Sequence, residues 1–491
     1  MPIFSLPNNY GIGSFGKESY KFIDYLKSAG QKVWQILPLV QTGYGNSPYS
    51  SVCSYSFNPY YISVDGLIEK GLVTENEASF AVSKSDGYID YSNLYAVRYP
   101  LLRKAFSRFD RENSEFKEFL KDKNYFDYAM YMALKFASGQ KHFYEWEDKY
   151  KFKDKDALKE FYKDYYEEVL FWQFIQYLAK SEWLKLKAYA NKNGISIMGD
   201  MPIYVALDSV DVWKNPELFK LDENLMPKKV AGVPPDYFCS DGQLWGNPVY
   251  DYAVHDKDGF SWWIRRIKSA LEIFDFVRID HFRAFDRYYE VDADRLDAKV
   301  GEWIKVPSNK FFTFLHEEVD RERIIAEDLG IIDDGVRALL KEVGYPGMKV
   351  LSFAFNGEEN NLYLPQNIGE NSVCYTGTHD NDTLLGLITS SSEWDKNNLI
   401  YGVQKSLSLL DIDKVVDSND TLLDAIVELG FYCKSNLFIM PMQDALRLGT
   451  NFRINEPGTV KEQNWAIRFK EEDFNQDTAQ LLKKLTAKYN R

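Results

Sequence analysis

Cysteine and histidine are scarce in this chain, four and five in 491 residues. Cys53, Cys239, Cys374 and Cys433 lie far apart with no CxxC pair, which argues against a disulfide-stapled scaffold and against a zinc ribbon. The histidines are scattered and form no HxxEH motif, so a zinc enzyme is not indicated, and neither a metal nor a cofactor is expected. Long apolar runs are missing too: no stretch reaches the roughly eighteen residues a membrane helix needs. The opening MPIFSLPNNYGIGSFG has neither a basic region nor an apolar core of a signal peptide, and a cytoplasmic protein is expected. Positive charge is in deficit, 59 Lys and Arg against 73 Asp and Glu, a net of −14 that repels nucleic-acid backbones and anionic membrane surfaces. The expected partner is a neutral or cationic small molecule.

What is present is ample. Hydrophobic residues make up 45% and charged residues 27%, the balance of a folded globular chain without disorder, and the length suits one large α/β barrel with insertions or two to three ordinary domains. Aromatics reach 16%, with 34 Tyr, 33 Phe and 11 Trp, which serves either thick core packing or stacking on flat ligands such as sugar rings.

Eight short apolar runs end in polar or acidic residues and are followed by helical patterns, as parallel strands buried on both faces require. They are KVWQILPLV, PYYISVD, GISIMGD, FDFVRID, RIIAEDL, GMKVLSFAF, SVCYTGTHD and SNLFIMPMQD. Their alternation with helices predicts an α/β fold, a (β/α)8 TIM barrel with helical and irregular insertions on its βα loops. The expected organisation is a barrel start with the first two strands over 1–65, a mainly helical insertion over 66–190, and the third strand over 191–201. An irregular insertion with a lid loop over 202–273 and barrel completion with five strands and C-terminal helices over 274–491 follow. Gly194 is the expected helix stop ahead of the third strand.

Two motifs fail in context. Gly11, Gly13 and Gly16 spell GxGxxG, but only ten residues precede them and no acid lies between Gln31 and Gly43 to hold a ribose; the expectation is a turn with a helix start. HDND at His379 to Asp382 cannot continue as a calcium loop, because Leu384 and Ser391 occupy ligand positions.

The stronger signal is carboxylates at strand ends. Asp200, Asp280, Glu327 and Asp380 all fall where barrel enzymes assemble their sites; any one alone could equally be a helix cap. Arg278 lies two residues before Asp280, so alternation puts both on one face. There the guanidinium either holds the carboxylate ionised for nucleophilic attack or forms a structural ion pair. Glu327 and Asp328 are adjacent and only one can face the axis; apolar neighbours around Glu327 suit a general acid. A nucleophile, a protonated acid and a third carboxylate are the parts for acetal cleavage.

The stretches GDMPIYV, AGVPPDYFCSDGQLWGNPVY, VRIDHFRAF, AEDLG, PGMKVLSFAF and YTGTHDNDT closely resemble the amylomaltases, 4-α-glucanotransferases of glycoside hydrolase family 77 in the α-amylase clan, and the resemblance runs from FSLPNNYGIGSFG to RINEPGT and NW. It implies Asp280 as nucleophile, Glu327 as acid/base and Asp380 as the carboxylate that stabilises the transition state. It further implies sugar contacts from Arg278, His281 and His379, Asp200 as the family's first acid, Tyr49 as a stacking residue, and a lid carrying Phe238, Gln243 and Trp245. Tyr44 and Tyr91 match a second glucan-binding groove of some members, or are ordinary surface aromatics. The implied reaction moves α-1,4-glucan segments between malto-oligosaccharides, amylose or glycogen-derived glucans by a retaining double displacement, with an α-amylase-like hydrolase as the alternative.

Overall fold

The computed structural model describes residues 1–491 except 44, 84–86, 236–239 and 331. Eleven strands are found among the described residues: β1 (Val33–Gln35), β2 (Ser196–Met201), β3 (Lys229–Val233), β4 (Gln243–Pro248), β5 (Phe276–Ile279), β6 (Arg287–Asp292), β7 (Glu302–Lys305), β8 (Ile324–Ala326), β9 (Gly347–Val350), β10 (Ser372–Tyr375) and β11 (Leu437–Ile439). Seven are parallel and form two arcs, β1-β2-β5-β8 and β9-β10-β11. The Ala326 N–H donates to the Pro346 carbonyl at 3.0 Å where one arc meets the other.

Both arcs wrap one interior. Met198, Ile325, Met348, Val350, Val373 and Tyr375 pack there with Val33, Phe276, Leu437 and Ile439, so every parallel strand contributes. Residues between them, such as Ile197, Val277, Ile324 and Cys374, join the outer core beneath the helices. This inward and outward alternation is the (β/α)8-barrel arrangement.

One expected strand is absent. PYYISVD forms a 3-10 turn, Pro59–Tyr61, and the start of the helix Val64–Glu69. Local capping outweighs its apolar character: the Asn58 side chain accepts from the Tyr60 N–H, Pro59 opens the turn, and the Ser63 hydroxyl accepts from the Gly66 N–H.

The stretch 66–190 carries three long helices, Tyr91–Arg108, Lys123–Ala137 and Tyr166–Lys192. Arg103 ties two of them with a double hydrogen bond to Glu168, 2.6 Å for each N–H, while its guanidinium lies 3.6 Å over Phe171. The longest helix ends before Gly194, whose φ of 77° turns the chain into β2. Its Trp183, fully buried, donates from Nε1 to the Ile273 carbonyl at 2.9 Å and pins the insertion to the barrel.

Residues 202–273, expected to be irregular, instead contribute β3 and β4 to an antiparallel sheet of order β4-β3-β6-β7. A register shift between Val230 and Gly232 breaks the period-two pattern that would have marked the pair. Gly11, Gly13 and Gly16 form turns before the helix Lys17–Ser28; a Cβ on Gly13 would lie 1.9 Å from the Ile3 carbonyl oxygen. No helix among the described residues is long and apolar enough to cross a membrane.

Candidate active site

Strand register builds the site. In the parallel β2/β5 pair Asp200 lies directly beside Arg278, so burial of these opposite charges next to each other follows from backbone pairing. Arg278 donates from Nε to Asp200 Oδ1 at 2.9 Å and from Nη2 to Oδ2 at 2.5 Å, with both side chains excluded from solvent. The Tyr49 hydroxyl donates to the same carboxylate and accepts from Arg278 Nη2 at 3.3 Å. Burial, then the Asp200 charge, pushes the Tyr49 phenol well above its usual range, so it stays a neutral donor. Its ring stacks on His379, 5.0 Å between centroids.

Asp280 follows β5 on the same inward face as Arg278, yet its oxygen is 3.9 Å from Arg278 Nη2. The expectation that Arg278 would hold this carboxylate low is therefore corrected: the guanidinium is committed to Asp200. Burial and the negative charges of Asp200 and Glu327 push the Asp280 carboxyl upward, with Arg278 opposing them.

Glu327 follows β8, buried, and accepts two backbone bonds, from the His281 N–H at 2.6 Å and the Leu329 N–H at 2.7 Å. These fix the carboxyl; His281 adopts a left-handed φ of 49° to make its bond. Burial outweighs Arg278 and the two N–H donors and lifts Glu327 to about 7. Asp328 is spent on structure: it accepts from the Met348 N–H at 2.5 Å and lies 3.7 Å from Lys349 Nζ, holding β9 in place.

Asp380, on the loop after β10, is partly exposed and lies 3.3 Å from His379 Nε2. Asn455 Nδ2 donates to its Oδ1 at 2.6 Å, and Arg453 donates to its carbonyl at 2.6 Å. Trp465 packs against both Tyr49 and His379, with centroids 5.7 and 5.5 Å away. Asn455, Arg453 and Trp465 escaped the sequence reading as individual residues. They lie within RINEPGT and NW, but nothing in their spacing tells that the chain returns to β10.

One continuous cleft of about 1430 Å³ is lined by Asp280, Glu327, Asp380, Arg278, His281 and His379, and by Gln243 and Trp245 from β4. Trp245 is 37% exposed, its ring edge-on to His281 at 4.9 Å, and its Nε1 donates to Gln243 Oε1 at 3.2 Å. Burial lowers the His281 imidazole to about 3 and lowers His379 as well, so both rings are neutral at pH 7. Tyr49 and Asp200 are not among the residues lining this cleft but are bonded to Arg278, which is. Tyr91 stands outside this lining, its hydroxyl donating to the Trp465 carbonyl at 2.7 Å. Phe238 and Tyr44 lie outside the described residues. Among the described residues no three His, Cys, Asp or Glu side chains could hold a metal ion.

The arrangement offers a buried, proton-holding carboxyl, an acid beside a guanidinium, and a third acid fixed by amide contacts, in an open cleft with an aromatic rim. Comparison with known proteins agrees with that chemistry. The family described as 4-alpha-glucanotransferase matches residues 1–474. The 4-alpha-glucanotransferase of Clostridium butyricum is 41% identical over 498 residues, covering 100% of both chains. That of Thermus thermophilus is 42% identical over 473 residues, 94% of this chain and 92% of its own. The amylomaltase of Streptococcus agalactiae, solved with acarbose, superposes with a TM-score of 0.94 at 36% identity, covering 100% of this chain and 98% of that one. An amylomaltase from Corynebacterium glutamicum, 18% identical, shares the fold at a TM-score of 0.78 over 100% of this chain and 74% of its own. The chain thus belongs to the 4-alpha-glucanotransferase family.

Proposed function

We propose that this chain cuts an α-1,4-glucosidic bond, keeps the released glucan as an ester on Asp280, and passes it to the 4-hydroxyl of a second glucan. The observation that carries this reading is the carboxyl pair at the ends of β5 and β8: Glu327 held near pH 7 by burial, and Asp280 beside the Arg278 guanidinium. Burial and the crowded negative charge push both carboxyls upward, so the pair favours keeping one proton; in this reading it sits on Glu327 and leaves Asp280, nearer the Arg278 guanidinium, as the anion. Glu327 then protonates the leaving oxygen while Asp280 attacks the anomeric carbon, forming a C–O bond as the glycosidic C–O bond breaks. Glu327, now ionised, next takes the proton of the incoming hydroxyl, whose oxygen displaces Asp280 with net retention. Asp380 contacts sugar hydroxyls and stabilises the oxocarbenium-like charge. Tyr49, His379 and Arg278 shape the pocket for the sugar that becomes esterified, and Gln243, Trp245 and His281 face the acceptor.

Malto-oligosaccharides and longer α-1,4-glucans are the substrates of this reading; they are neutral, as the net charge of −14 favours. A cytoplasmic location is supported by the free, buried thiols of Cys53, Cys374 and Cys433. Incubation of the purified chain with maltotriose tests the proposal. Glucose together with products longer than the substrate is the expected result, and only shorter products would make the chain a hydrolase.

A further inference from the structure

The lining of the cleft extends beyond the carboxylates to the helix Glu393–Leu409, which is held down by the buried Leu399, Val403 and Leu407. Four residues of this helix line the cleft, Asp395 and Leu399 together with the two that could meet a sugar ring, Trp394 and Asn398. The latter two are four apart, hence one above the other on the same helix face. Trp394 is 71% exposed, an unusual state for the largest apolar side chain. Asn398 is half-buried, and its side-chain amide makes no hydrogen bond to the described residues. A flat indole beside a free amide is the pairing that binds a pyranose, stacking on its C–H face and bonding its hydroxyls.

We propose that Trp394 and Asn398 form a binding platform for a glucose unit of the glucan remote from the bond being cut, so that this helix makes the enzyme prefer long chains. The occupant is an α-1,4-glucan because the platform is continuous with the cleft of Asp280, Glu327 and Asp380; the proposal rests on the glucan-transfer reading of that cleft. A short substrate that fills only the positions next to the carboxylates does not reach the helix. A longer one does, and gains the stacking contact in both ground and transition state, which lowers KM more than it changes kcat.

The test compares kcat/KM for maltoheptaose and maltotriose in the wild type, Trp394→Ala, Trp394→Phe and Asn398→Ala, with thermal unfolding of each. Trp394→Ala should lower the maltoheptaose to maltotriose ratio about five- to tenfold, chiefly through KM for maltoheptaose, and Trp394→Phe should recover most of it. Asn398→Ala should lower the ratio by a smaller factor. A ratio within twofold of wild type, or equal losses on both sugars, overturns the platform while leaving the transfer reading intact. A wild-type chain that disproportionates neither sugar overturns the transfer reading itself and the platform with it.

Discussion

At the scale of single residues the decisive quantity is where the cleft keeps its proton. Burial of Glu327 raises its carboxyl to about 7, so the native state binds a proton that the unfolded chain releases near 4.5. Below that unfolded value the group is protonated in both states and makes no difference to stability. Between about 4.5 and 7 the unfolded chain releases a proton that the native state keeps, so stability falls across that window and levels off above it, where the native state buries the charge. Glu327→Gln should therefore stabilise the protein at pH 8 by roughly 1–3 kcal/mol and by much less at pH 4, read from denaturant midpoints. The same substitution should cripple transfer from natural glucans most and from substrates with an activated leaving group least, because a good leaving group needs no protonation. Asp328→Asn should cost stability more than chemistry, since Asp328 accepts from the Met348 N–H and so holds β9 in place. A larger kinetic loss from Asp328 than from Glu327 would reverse the two roles. If Asp280 is the nucleophile, as proposed, Asp280→Asn should reduce turnover at least about a thousandfold while glucan binding persists, checked by calorimetry with maltoheptaose.

Elements hold these residues in place, and β2 shows how. Met198 and Asp200 point into the barrel while Gly199 points outward, where a Cβ would lie 2.1 Å from the ring of Phe274. Phe274 is buried and cannot swing away cheaply. Gly199→Ala should push β2 off its register with β5, costing about 1–3 kcal/mol of stability, and kcat/KM should fall because Asp200 moves with the strand and loosens Arg278. An unchanged midpoint and unchanged kinetics would show that Phe274 repacks freely. The β4 strand makes a different contribution. With Trp245 edge-on to His281 at 4.9 Å, it presents an apolar face to the same cleft as Glu327, where in the proposed reaction water would compete for the glycosyl ester. Trp245→Ala should raise the ratio of hydrolysis to transfer on maltotriose, measured as new reducing ends against glucose released, with thermal stability nearly unchanged. Loss of both activities in proportion to unfolding would assign Trp245 to packing alone.

Across the whole molecule, the sequence by itself determined the barrel class and the acidic residues at its mouth. Short apolar runs followed by helices need only local pattern to be recognised, and β5 illustrates it: alternation alone places Arg278 and Asp280 on one inward face, where the structure has them. The amylomaltase-like motifs are contiguous peptides and so were visible at once. Three things were decided only by tertiary structure. Asn58 and Ser63 cap turns within an apolar run and remove a strand that composition favoured, because side-chain to backbone bonds depend on the path of the chain. Arg278 has two acids within reach, and the parallel register of β2 with β5 gives the ion pair to Asp200 instead of Asp280. Asn455 and Trp465, more than seventy residues after Asp380, reach His379 and Asp380 through a return of the chain that no local periodicity encodes. Strand identity and inward facing are properties of a few consecutive residues. Which charge meets which, and which proton is kept, depends on distances between segments that only packing brings together.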